Sequence, residues 1–194
     1  MNRFLYKIKQ FNKIAEIDEI ARRYFTMNSF DGILMILGIL IANFFASVTN
    51  SKIIITTSIG AMVAVAISGM WGAYLTESAE RKGKIKKLEK SVGLSFKKTP
   101  IHYAHRFATI SLALIDGLSA ALAALIIISP FFFINIELAY YVSIGIAFFI
   151  LFLLGVFLGK IGKSNLIISG LKFLSAGIVC SIILFLIENW GKIF

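Results

Sequence analysis

The sequence predicts an all-α, polytopic membrane protein, with five transmembrane helices behind an N-terminal amphipathic helix. Three observations carry that prediction. Hydrophobic residues fill 58% of the 194 positions and charged residues only 15%, a balance outside the soluble range. Five apolar runs, at about 28–48, 53–75, 107–129, 138–159 and 165–187, each supply the ~20 residues that a ~30 Å hydrocarbon core requires. Apart from Lys172, Lys and Arg lie outside these runs, and most gather in alternate connections. The spans use more than half of the chain, so residues 1–194 are expected to form a single membrane domain with no separate soluble part.

The first element precedes the spans. In "FLYKIKQFNKIAEIDEIARRYF", Phe4, Ile8, Phe11, Ile14, Ile17, Ala21 and Tyr24 recur at spacings of three and four, with charges on the other face. A cationic amphipathic helix over residues 1–27, lying in the headgroup plane, is the expected outcome. No cleavable signal peptide is expected, because the first apolar run starts only near residue 30, behind this charged segment.

Span one begins "NSFDGILMILGIL" and carries Asp31 near its start. A carboxylate inside a span costs about 2.5–3.5 kcal/mol on insertion scales, which marks it as a functional candidate. Met35 lies four residues on, sharing the helix face. A carboxylate with a thioether suits Fe²⁺ or Mn²⁺ better than Mg²⁺ or Ca²⁺. Span two repeats small residues at every fourth position, Gly60, Ala64, Ser68 and Gly72, a stripe that admits a second backbone closely and points to a bundle centre or a homodimer seam. Near the end of the same run, Met70 is expected at a depth similar to that of Asp31.

Residues 76–106 form the longest polar stretch. Its first half reads as a helix running out of span two, with Glu77 and Glu80 at a cytoplasmic mouth; Gly93 and Thr99-Pro100 mark the break before span three. His102 and His105 are spaced i, i+3, a weak metal signal. In span three, "ALIDGLSAALAAL" places Asp116-Gly117 much as span one places Asp31-Gly32, so Asp116 is a second candidate carboxylate or proton carrier. Gly155 and Gly159 repeat the small-residue device in span four. Span five holds Lys172, a candidate ion-pair partner for Asp116 or Asp31, and the lone Cys180, which rules out an intrachain disulfide.

The net charge of +10 reflects membrane topology rather than nucleic-acid binding. Six Lys and Arg lie in residues 1–27, nine in 76–106, and Lys160 and Lys163 join spans four and five; the opposite side has Lys52 and Lys192. The positive-inside rule then sets the N-terminus in the cytoplasm and the C-terminus across the membrane. No nucleotide loop, zincin pair or catalytic triad is present, so no enzyme is expected and no resident cofactor is implied.

Several motifs together resemble the vacuolar iron transporter family. "RRYFTMNSFDGILMILGI" is similar to its first span with the Asp-Gly motif, and "SGMWGAYLTESAE" to its second-span run ending in Gly-x-Tyr and a glutamate. "ALAALIIISPF" and "SGLKFLSAG" are similar to its third and fifth spans. The resemblance implies five spans, a dimer, and export of Fe²⁺ or Mn²⁺ from the cytoplasm in exchange for protons. It carries the first-span aspartate onto Asp31, the second-span methionine onto Met70, the later glutamate onto Glu80 and a basic residue onto Lys172. The chain departs from the family in three places. Met70 is shifted by one position, Ala73 stands where many members have glutamate, and a short lysine-rich hairpin replaces a long cytoplasmic metal-binding domain. The expected function is therefore divalent-metal export, with metal ions, protons and the bilayer as partners. The rivals are a non-transporting scaffold with buried Asp–Lys pairs and a transporter of another cation.

Overall fold

The structure is a computed structural model and describes residues 10–12, 14–96 and 99–191. Among these the fold is all-α. Five long helices follow in order: α1 (Ile17–Phe45), α2 (Ser51–Val92), α3 (Pro100–Ile128), α4 (Ile136–Ile161) and α5 (Leu166–Gly191), with a 3₁₀ turn at Ser129–Phe132. Each is long and apolar enough to cross a membrane, so the chain has the make-up of a multi-pass membrane protein. At ~1.5 Å per residue, the 42 residues of α2 extend to about 63 Å, twice the hydrocarbon thickness. The helix is thus longer than one crossing needs, and its second half is Lys-rich.

The ends of the helices are chemically marked. Gly93 takes φ +72°, the left-handed conformation that closes α2, and its amide donates to the Glu89 carbonyl. The Glu89 carboxylate accepts from the Phe96 amide at 2.8 Å and organises the following turn. Pro100 opens α3, where its missing N–H costs nothing. Asn135 caps α4 by accepting from the Leu138 amide, and Asn165 caps α5 through the Ile167 and Ile168 amides.

The chain divides into two compact units, one made of residues 1–25 and 66–118, the other of 26–65 and 119–194. In the second unit Ile33, Ile36, Leu37 and Leu40 of α1 are buried at helical spacing, in a core that also holds Ile54, Ile127, Ile128 and Leu151. Lipid is as apolar as these side chains, so contact packing rather than water exclusion holds them together. Close backbone approach serves the same end. A Cβ on Gly32 would stand 2.6 Å from the Ala120 carbonyl oxygen, and one on Gly159 2.8 Å from the Ser169 side chain. Gly155 faces the same turn of α5. Tyr140 closes one end of this unit, donating its hydroxyl to the Val48 carbonyl at 3.0 Å.

The first unit contains the described part of the N-terminal segment. Phe4 and Ile8 of the expected amphipathic face lie outside the described residues. Of the rest of that face, Ile14 is exposed and the residues from Ile17 onward pack inward. Ala15 and Ile17 are buried with Ala108 and Leu112 of α3, and Ile20, Ala21 and Tyr24 pack around them. Part of the apolar face thus covers α3. Glu16, at φ +51°, breaks the chain direction just before α1, which then runs unbroken from the amphipathic residues into the first span.

Candidate functional site

In the first unit, α2 and α3 run antiparallel, and two pairs of facing residues define their register. Gly69 meets Asp116 and Gly117, while twelve residues along α2 Arg81 meets His105, eleven residues back along α3. A Cβ on Gly69 would lie 2.9 Å from Asp116 Oδ2, and one on Gly117 would strike the Ala66 carbonyl and the Met70 side chain. The two glycines are therefore what lets the helices touch. The contact sets the buried Asp116 carboxyl against α2 at Gly69, and the Met70 side chain against Gly117.

A file of buried polar groups leads from the other end of this helix pair. Glu77, Arg81, His105 and Thr109 are all buried. Glu77 accepts from Arg81 Nε at 2.8 Å and from the Tyr24 hydroxyl at 3.1 Å. Arg81 Nη1 also donates to the Ala15 carbonyl at 3.3 Å and lies 3.1 Å from His105 Nδ1. A guanidinium only donates, so Nδ1 must accept and His105 is a neutral imidazole with its proton on Nε2. Burial first, and then the Arg81, Lys84 and His102 charges, hold its pKa below the ordinary histidine value. Tyr24, ahead of the first apolar run, is pushed up to about 12 by burial and by the Glu77 charge, with a smaller push from Asp116. It stays protonated and serves as a donor to Glu77.

The sequence-predicted residues fall into three groups. Met70 and Asp116 lie at the same α2–α3 contact, Met70 against Gly117 and the Asp116 carboxyl against Gly69. Glu77 and Glu80 are not, because Glu77 is buried and bound to Arg81 whereas Glu80 is exposed. Asp31, Met35 and Lys172 belong to the second unit. There Asp31 is exposed, although the adjacent Gly32 is buried; Met35, one turn on, is half-buried. Lys172 is exposed, and among the described residues it makes no salt bridge with Asp31. His102 is half-buried and His105 buried. No group of three or more His, Cys, Asp or Glu that could hold a metal ion occurs among the described residues.

Sequence reasoning missed Arg81 and Tyr24 as members of this network. The Glu77–Arg81 spacing of four was a visible signal. In so basic a stretch it reads as a surface pair, and only the N-terminal segment folding over it makes it buried.

No protein-family model matches the chain. Its sequence is similar to uncharacterized protein MJ0645 of Methanocaldococcus jannaschii, with 37% identity over 175 residues, covering 88% of this chain and 90% of the relative. On that identity and near-complete coverage, the chain belongs to the same family as this archaeal protein.

Proposed function

We propose that the protein is a divalent-metal transporter, exporting Fe²⁺ or Mn²⁺ from the cytoplasm in exchange for protons and working as a homodimer. The observation that carries this reading is Asp31. Its carboxylate stands exposed on α1 within the first apolar run, on a backbone turn held tight by Gly32 against Ala120. An aspartate left facing lipid bears the full insertion cost; one lining a hydrated path or covered by a second copy does not. Met35 offers a thioether on the same face one turn further, a soft complement to a hard oxygen ligand.

The scaffold alternative needs that carboxylate to be neutralised internally, and the exposed Lys172 gives it no support at Asp31. Resemblance of the Asp31-Gly32 and "SGMWGAYLTESAE" motifs to the iron-transporting family supplies the metal and the direction of transport. Proton exchange follows from ligand chemistry, since a carboxylate must lose its proton to bind a metal and regains it when the metal leaves.

The test is metal-dependent proton flux in proteoliposomes, comparing the parent with Asp31→Asn. Asn keeps shape and an oxygen but loses the charge, so coupled flux should disappear while the protein still folds. Parental flux in a folded D31N protein would remove Asp31 from the site, and no metal flux in the parent would remove the transport reading itself.

A further inference from the structure

Within the first unit a cleft of about 270 Å³ lies between α2 and α3, just below the ~300–1,000 Å³ of pockets that enclose drug-sized ligands. Its walls carry Arg81, Lys82, His102, His105 and Arg106, and no carboxylate. The acidic Glu77, next to Ser78 in the chain, is already bound to Arg81 and Tyr24. Formal charge within the cleft and its immediate support is therefore positive even after Glu77 is counted. Neutral His105, whose Nδ1 accepts from Arg81, keeps Nε2–H as a further donor. Ser78 adds a hydroxyl to the same wall.

The depth of the cleft is fixed by its other lining residues. Tyr74 and Ile110 come from the apolar runs of α2 and α3, whereas Lys82, His102 and Arg106 lie beyond them. Tyr74 of the lining is 44% exposed, and Trp71, one turn before it on α2, and Tyr103, next to His102 on α3, are 66% and 50% exposed, as amphipathic aromatics are where hydrocarbon gives way to headgroups. A basic cavity between spans at that level matches the phosphate of an anionic lipid in charge, donor chemistry and position.

We propose that the α2–α3 cleft binds the phosphate group of an anionic lipid headgroup, clamped by Lys82 and Arg106 with donors from His102, His105 and Ser78. The occupant would tie the Lys-rich half of α2 to the membrane surface.

The probes are short-chain phosphatidylglycerol, short-chain phosphatidylcholine and inorganic phosphate, titrated into the detergent-purified full chain, with apparent affinity read from the shift in unfolding midpoint. Phosphatidylglycerol should bind saturably and well above phosphatidylcholine. The double variant Lys82→Gln/Arg106→Gln should lose at least about tenfold in affinity. A Lys86→Gln/Lys90→Gln protein, which removes the same charge outside the cleft, should not. Lys82 and Arg106 are exposed, so the lipid-free midpoint should hold; if it falls, Lys82→Gln alone is used and should still weaken binding. Equal losses in the two doubles, or no preference for the anionic lipid, would overturn the site. Stabilisation by inorganic phosphate as strong as that by phosphatidylglycerol at equal concentration would overturn the lipid source.

Discussion

Around Arg81 four elements of chemistry converge on one guanidinium: a carboxylate, a backbone carbonyl, a neutral imidazole and, through Glu77, a phenol. The imidazole is the member whose charge changes near neutral pH. Its pKa is held below the unfolded value of about 6.5 by burial and by Arg81 and Lys84 of α2 and His102 of its own helix. A histidine depressed in the folded state binds fewer protons there than when unfolded. The stability it confers is thus complete above about pH 6.5 and is lost as the pH falls below that value. Unfolding midpoints of the detergent-purified protein should decline between pH 7 and pH 5, and His105→Gln, which can still accept from Arg81 but cannot titrate, should flatten that decline. An unchanged acid limb in H105Q would show that His105 is not the titrating group. At this scale the sequence marks Asp31 and Asp116 as candidates because carboxylates contradict an apolar run. The burial of Glu77, Arg81 and His105 was not legible, because in a charged stretch they match their surroundings.

Along the helices, small residues do two separate jobs that look identical in sequence. Gly117 and Gly155 have neighbouring backbone where a Cβ would go, while Gly60 and Gly72 have nothing within 4 Å. Ala64 and Ser68, between those two open glycines on α2, are exposed as well. One class holds the chain together; the other leaves an open face on α2, which the proposed homodimer would use. Gly117→Ala should therefore destabilise the folded chain by about 1–3 kcal/mol, the usual cost of overpacking. Ala64→Leu should leave the protomer's unfolding midpoint near the parent's while shifting the detergent-solubilised protein from dimer to monomer, read by light scattering on a sizing column. An A64L protein that stays as associated as the parent would place the seam elsewhere. Helix existence and the Lys-rich continuation of α2 past its apolar run were readable from composition and length. The fusion of the amphipathic segment with span one was not, because helix continuity through residues 25–30 depends on no local breaker rather than on any positive signal.

For the chain as a whole, the five spans followed from hydropathy because lipid forbids unpaired backbone, which leaves long helices as the only economical solution for such runs. What apolar content does not encode is which faces are covered. Only 11% of the best apolar window of α5 and 17% of that of α2 is buried, against 50% for α3, and that ranking depends on tertiary contacts. Sidedness is a separate property again, and it rests on charge. The connections at 93–99 and 162–165 adjoin Lys-rich segments, whereas those at 46–50 and 133–135 have Lys52 alone nearby. If all five helices cross, Lys90 at the end of α2 and Glu137 at the start of α4 are separated by a single crossing, that of α3. Both side chains are exposed, so each can be replaced by cysteine without entering a packed core. In a Cys180→Ser background, a membrane-impermeant maleimide added to intact cells should label Glu137→Cys and spare Lys90→Cys, and permeabilisation should make both react. Labelling of Lys90→Cys alone would invert the orientation, and equal labelling of the two in intact cells would mean that α3 does not cross. The first outcome would also turn the proposed transport around, from export to import, because Asp31 would then be approached from the other side of the membrane.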